Sequence, residues 1–270
     1  MRRKPAVAGY FYPGQEDVLS EMIRGMTELE KKRKKAISVV SPHAGYVYSG
    51  AVAAHGYSAL ANDGKPDLFV IIGVNHHSYT SDPASIQIEG IWETPLGQAQ
   101  IDSEIAKIIS QNELIFDNAQ IHRREHSLEL QLPFIQYIYG PSIKIIPIMM
   151  STSNIDTISK IGGSIANALM NKNAVIIAST DFTHFEKAAR AREQDQKAID
   201  AIKKISGELL VNTVKDYEIS MCGYASTSVA LIASKKLGAN TVKLLKYASS
   251  GDTTGDNESV VGYGSLIISK

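Results

Sequence analysis

Short apolar runs alternate along this chain with longer segments of helical period, the pattern of an α/β sheet. Ala36–Val40, Asp67–Val74, Ser142–Met150 and Ala174–Ala178 are almost continuously apolar, as buried strands read. Ser85–Glu89 alternates as an edge strand does, and Thr241–Tyr247 and Val260–Ile268 close the chain as strands. Gln15–Lys34 predicts an amphipathic helix with Val18, Met22, Met26 and Leu29 on one face and a basic end that suits the helix dipole. Further helices are expected over Gly50–Leu60, Ser103–Gln111, Leu128–Tyr139, Asn154–Met170, Phe185–Ile205, Gly207–Val214 and Ala225–Lys236. No repeat, low-complexity stretch or linker interrupts the pattern. The expectation is a single domain over residues 1–270: α/β, with a central mixed or parallel sheet and helices on both faces.

Composition narrows the function classes. The 270 residues are 44% hydrophobic and 21% charged, which is ordinary globular usage and enough chain for a core that needs no staple. The 28 basic and 28 acidic residues balance, so no global charge favours nucleic acid or a membrane surface. One cysteine excludes an internal disulfide and a zinc ribbon, and fits a reducing cytosol. Pro5–Tyr12 is too short and glycine-broken for a signal-peptide core, and no apolar run approaches the roughly 20 residues of a membrane helix. A cytoplasmic protein is the expectation. No strand–GxGxxG–helix unit and no GxxxxGK[ST] loop is present, which weakens dinucleotide and P-loop readings.

The chemistry gathers just beyond the apolar runs. Ala36–Val40 leads into Pro42-His43-Ala44-Gly45, Leu68–Ile72 into Asn75-His76-His77, and Ala174–Ala178 into Asp181-Phe182-Thr183-His184. In open α/β sheets ligands bind beyond the carboxyl ends of the strands, so three such strands could deliver one histidine cluster. Clustered His and Cys are metal ligands or nucleophile machinery. His76 and His77 are neighbours, and in extended backbone their side chains point to opposite sides. One of the two is expected to ligate and the other to border the pocket. A helical turn over Asp181 and His184 would let the carboxylate hold the imidazole in one tautomer; the alternative has Asp181 capping a helix and His184 on the surface. Cys222 is open to two readings, an inert small hydrophobe or a thiolate stabilised before a helix N-terminus. Glu125 can simply compensate a helix dipole, and His126 is a candidate fourth histidine. His55 and His122 are read as structural or solvent-facing. Gly251 and Asp252 lie in a small polar run, Ser249–Asp256, which could form an anion nest or an ordinary loop.

Taken together, these motifs resemble the Memo family, the Memo component of the AmmeMemoRadiSam system. The resemblance runs from Ala6–Pro13 through Pro42–Tyr46, Asn75–His77, Glu125–Ser127, Asp181–His184 and Cys222-Gly223 to Ser250–Asp252 and Val260–Tyr263. It implies a fold similar to the class III extradiol, LigB-like dioxygenases. It also implies that His43, His76 and Cys222 stand at the metal positions and that His184, beside Asp181, matches the dioxygenases' catalytic histidine. Those enzymes use two histidines and a carboxylate for Fe(II); here Cys222 takes the carboxylate's place, and a thiolate favours softer metals. The expected cofactor is Fe(II) or Cu, with Zn as a further option, in a site easily oxidised or stripped and so liable to be empty in a crystal. The expected function is a metal-binding redox protein, with His77, His126, Glu125, Gly251 and Asp252 around the pocket. The alternatives are a metal-free Cys–His–Asp thiol enzyme and a non-catalytic peptide-binding or protein-binding module. The implied partners are a radical-SAM protein and the system's third component, with an unknown small-molecule or peptide substrate, no nucleic acid and no membrane.

Overall fold

A computed structural model describes residues 1–28, 35–77 and 79–270. Its strands are β1 (Arg2–Arg3), β2 (Ala36–Ser41), β3 (Leu68–Val74), β4 (Ala84–Ile86), β5 (Ile91–Thr94), β6 (Gly97–Ile101), β7 (Ile115–Asp117), β8 (Ser142–Met150), β9 (Ala174–Ser179), β10 (His184–Glu186), β11 (Thr241–Ser249) and β12 (Val260–Ser269). The helices are α1 (Glu16–Met26), α2 (Tyr46–Ala61), α3 (Ser103–Ile109), α4 (Leu132–Tyr139), α5 (Ile155–Leu169), α6 (Ala188–Lys203), α7 (Gly207–Asp216), α8 (Tyr224–Lys236) and α9 (Gly251–Thr254), with a 3-10 turn, Glu129–Gln131, ahead of α4.

One mixed sheet carries the fold. Its path runs β1-β5-β6-β8-β3-β9-β2-β12-β10, with β11 beside β12 and β4 bridging β8 to β7. The central strands β6, β8, β3, β9 and β2 are mutually parallel, and the long apolar runs of β8, β3, β9 and β2 follow from cover on both of their faces. Adjacent residues of β2 show this directly. Ser38 Oγ meets Ser234 Oγ of α8 at 2.7 Å, while Val39 faces Gly56 of α2. A Cβ at Gly56 would come within 2.7 Å of Val39, so glycine lets α2 lie close on the sheet. Helices α1 and α4 pack with α2 on that side, and α5 and α7 with α8 on the other. No helix among the described residues is long and apolar enough to cross a membrane.

Several boundaries and one face differ from the sequence pattern. Helix α1 buries Leu19 and Ile23, whereas Val18 is half exposed, so the inward stripe is rotated by about one residue from the expected one. Residues 29–34, including Leu29, lie outside the described residues. Leu128–Tyr139 splits into the 3-10 turn and α4, with Pro133 in the first turn of α4 where its missing N–H costs nothing. Ser85–Glu89 is not an edge: β4 is buried between β7 and β8. The β5–β6 hairpin was not legible, because its strands are short and only Trp92, Ala99 and Ile101 of its apolar residues reach the core. His184–Glu186 pairs with β12 instead of opening the helix, which starts at Ala188.

Candidate metal centre

The histidine-bearing turns meet because their strands are neighbours. β3, β9 and β2 lie side by side and parallel, so His76, Asp181 and His43, each two residues past its strand, share one sheet edge. Short bonds hold the turns together. Thr180 N donates to Ser41 O at 2.9 Å, and His43 N donates to Asp181 Oδ1 at 2.8 Å. Phe182, fully buried against Gly264, anchors the β9 turn, and its N–H donates to Gly262 O at 2.8 Å.

Cys222 arrives from elsewhere, just ahead of α8. Gly223 seats it: its N–H donates to Thr180 Oγ1 at 2.9 Å, and a Cβ there would stand 2.5 Å from Ser179 O. Gly223→Ala is therefore expected to push Cys222 outward and weaken metal binding about tenfold or more, since a ligand must be held within about 0.5 Å of its working position. Calorimetric metal titration of this variant beside wild type checks the effect.

Ligand atoms of His43, His76 and Cys222 all lie within 4.8 Å of one another. That is close to the roughly 3–4.5 Å separation of atoms sharing one ion. Cys222 Sγ is 3.3 Å from His43 Nε2, and the two imidazoles meet edge-on with centroids 5.2 Å apart. Each ligand is braced from behind. His76 Nδ1 lies 3.0 Å from Glu125 Oε1, and His76 N donates to Glu125 Oε2 at 2.8 Å. A carboxylate on the far nitrogen of a histidine orients it as a ligand. Burial alone would push Glu125 up, but His76 and the amides of His76 and Ser127 outweigh it and hold the carboxyl below its usual range. Burial pushes His43 well down, with the nearby imidazoles adding to it, so its ring is neutral and able to ligate. Burial, then the Asp181 charge, pushes the Cys222 thiol up, so without metal it keeps its proton.

His126 stacks on His76 with centroids 4.6 Å apart and meets His43 at 5.5 Å. Burial lowers its pKa to about 4. His76, Glu125 and His126 form a second set of ligand-type atoms that shares His76 with the first. His77 is exposed and lies 5.6 Å from the His126 ring, at the border of the cluster.

Two sequence expectations are corrected. The turn expected to bring Asp181 to His184 is not helical: Asp181 Oδ1 accepts from the His43 amide, and the Asp181 N–H faces Cys222 Sγ at 3.3 Å. His184 is held instead by Ser220: its amide donates to Ser220 Oγ at 2.7 Å, and its Nδ1 donates to Ser220 O at 2.8 Å. A carbonyl can only accept, so neutral His184 keeps its Nε2 lone pair. Burial pushes the Asp181 carboxyl up to about 6. Gly251–Thr254 is a short helix, not a loop, and Asp252 Oδ2 accepts from Ser249 N and Oγ, at 2.7 and 3.1 Å. His55 is exposed on α2, and His122 is buried against Trp92 at 5.8 Å. Sequence reading gave no role to Ser179 and Ser220, which bond His43 and His184, or to Gln131 and Ser127, which bond Ser179. Polar residues inside otherwise apolar stretches were their only signal.

The chain matches the family described as Memo-like protein over residues 3–267. It is 40% identical over 280 residues to a MEMO1 family protein of Methanopyrus kandleri, covering 99% of each chain. It is 42% identical over 277 residues to a MEMO1 family protein of Pyrobaculum aerophilum and 43% identical over 274 residues to one of Methanosarcina acetivorans, covering 98% of both chains in each case. With matches of this extent and a His/His/Cys cluster that could hold a metal, the chain belongs to the Memo family.

Proposed function

We propose that this protein binds a redox-active metal, iron or copper, through His43 Nε2, His76 and Cys222 Sγ, and that the bound metal serves oxidative chemistry. The carrying observation is convergence: three ligand-type atoms from three separate segments come within 4.8 Å of one another at one sheet edge. The donor set fits such a group, since imidazole with thiolate suits copper and thiolate-ligated iron, with zinc as the redox-silent competitor. Such a metal would supply electron transfer and polarisation of a bound oxygen-containing ligand.

The chain's own residues would do the rest. Glu125 orients His76. The Asp181 amide faces the sulfur at 3.3 Å and stabilises negative charge there. His184, with Nε2 unprotonated, would accept a proton from a substrate held beside the cluster. The half-buried thiol, pushed up chiefly by desolvation and by the Asp181 charge, favours the metal reading over a metal-free thiol enzyme, which needs a thiolate ready at neutral pH. Cooperation with a radical-SAM protein and a third component is part of the same proposal; it rests on the family resemblance.

Cys222 gives the direct test. Cys222→Ser is expected to fold and to bind metal much more weakly, and Cys222→Glu to shift preference toward Fe(II) by restoring two histidines and a carboxylate. Competition among Fe(II), Zn and Cu(I) under argon reads both. Binding must also release the thiol proton, so wild-type affinity should fall about tenfold per pH unit on acidification, and the Ser variant's should fall less steeply. Equal affinities and one metal order for all three proteins would remove Cys222 from the ligand set.

A further inference from the structure

The buried groups behind His43 form a chain whose fixed carbonyls favour one proton arrangement. Gln131, Ser127, Ser179 and Tyr57 are all fully buried. Gln131 Nε2 lies 3.0 Å from Pro42 O, 3.3 Å from Ser127 O and 2.9 Å from Ser179 Oγ. Two of those neighbours are carbonyls, which only accept, so the amide must present its NH2 there. Its oxygen then faces Tyr57, whose hydroxyl donates to Oε1 at 2.6 Å. Ser179 has a single hydroxyl proton, and it points at Ser127 O, 2.6 Å away. The Ser179 oxygen can therefore only accept from its other two neighbours, Gln131 Nε2 and His43 Nδ1, the latter at 2.9 Å.

We propose that Ser179 and Gln131 are positioning residues that lock His43 as its Nδ1–H tautomer and so keep the Nε2 lone pair turned to the metal position 3.3 Å from Cys222 Sγ. A neutral imidazole otherwise has two tautomers, and the Nε2–H form cannot ligate through that nitrogen. The two ligating histidines are thus set by unlike devices, a carboxylate behind His76 and a neutral hydroxyl behind His43. A carboxylate raises the basicity of its imidazole. A serine oxygen already drained by Gln131 fixes orientation with little added charge. This inference rests on the metal reading for its consequence, but the tautomer itself is a property of the metal-free protein.

The test combines side-chain 1H–15N correlation of His43 in metal-free protein with Fe(II), Cu(I) and Zn titrations under argon of wild type, Ser179→Ala, Ser179→Thr and Gln131→Leu. Wild type is expected to show a protonated Nδ1 and a bare Nε2. Ser179→Ala should lose the single-tautomer signature and about 10–100-fold in metal affinity, the usual cost of removing a partner behind a ligand. Gln131→Leu should fall between, and Ser179→Thr, which keeps the hydroxyl, should restore the signature. Unfolding midpoints separate a folding defect from a tautomer change. A wild-type His43 carrying its proton on Nε2 overturns the proposal, as does Ser179→Ala with unchanged tautomer and affinity. A wild type with the stated tautomer that binds none of the three metals overturns the metal reading instead, and with it any ligand-positioning role for Ser179.

Discussion

The double variant His43→Ala with His76→Ala should show no stoichiometric metal, while His55→Ala should bind as wild type does. The two targets supply both nitrogen atoms of the cluster, and Cys222 alone cannot hold an ion at useful affinity against water. His126, in ring contact with both histidines, is a neighbour that could substitute. It stacks parallel to His76 at 4.6 Å and shares Glu125 with it, which places it with the second set of ligand-type atoms. His55 sits exposed on α2 and touches none of these groups, so it controls for the loss of a histidine as such. Metal content after anaerobic reconstitution and desalting, by elemental analysis, decides the matter. Unchanged content in the double variant would mean that the cluster is not the site.

Breaking the ion pair between Arg3 and Glu129 should destabilise the protein more than any other single change to a charged group discussed here. Arg3 is 4% exposed and Glu129 fully buried. Arg3 Nη1 donates to Glu129 Oε2 at 2.7 Å, Nε to His122 O at 2.8 Å and Nη2 to Glu125 O at 2.7 Å, and the guanidinium lies 4.1 Å over the Trp92 ring. Glu129 also accepts from Ala6 N, Val7 N and Tyr12 Oη. Arg3→Met leaves a buried carboxylate without its cation and two carbonyls without a donor. Removing one partner of a buried pair costs about 3–5 kcal/mol, which corresponds to a Tm drop of roughly 6–20 °C for a protein of this size. Glu129→Leu should cost a similar amount by a different route, stranding the donors it now accepts from. The double variant should cost less than the sum of the two, because the same pair is broken only once. Thermal unfolding of all four proteins reads the cycle; additive losses would show that the pair is not coupled. The same arm braces Glu125, so Arg3→Met should also loosen the backing of His76.

Much of the candidate site was legible because its residues sit in local motifs. His43, His76, Asp181 and His184 each follow an apolar run, and a strand's carboxyl end is where an α/β sheet places its ligands. The misassignments come from the same local reading. A helical turn over Asp181–His184 was plausible from spacing, yet pairing with β12 pulls His184–Glu186 into a strand and gives Asp181 to the His43 amide. Phe185, with φ of 60° and its ring exposed, has a backbone conformation that no propensity argument would assign to it. The face of α1 was misread because Leu19, Met22, Ile23 and Met26 make as good a stripe as the one chosen, and only packing separates the two.

Periodicity, composition and the residues past each run determined the class of fold, the buried strands and most of the chemistry-bearing residues, since burial on both faces and turn chemistry are written locally. Tertiary structure decided strand order, and strand order assembles the candidate site. Only because β9 lies between β3 and β2 do the turns of all three reach one point, and only the close seat at Gly223 brings in a cysteine nearly 150 residues beyond His76 in the chain. The partners behind the ligands, Ser179, Gln131 and Glu125, belong to the same category. A hydrogen bond between residues 48 to 136 positions apart carries no local signature; it exists because a buried polar atom must find a partner among whatever the packed sheet places beside it.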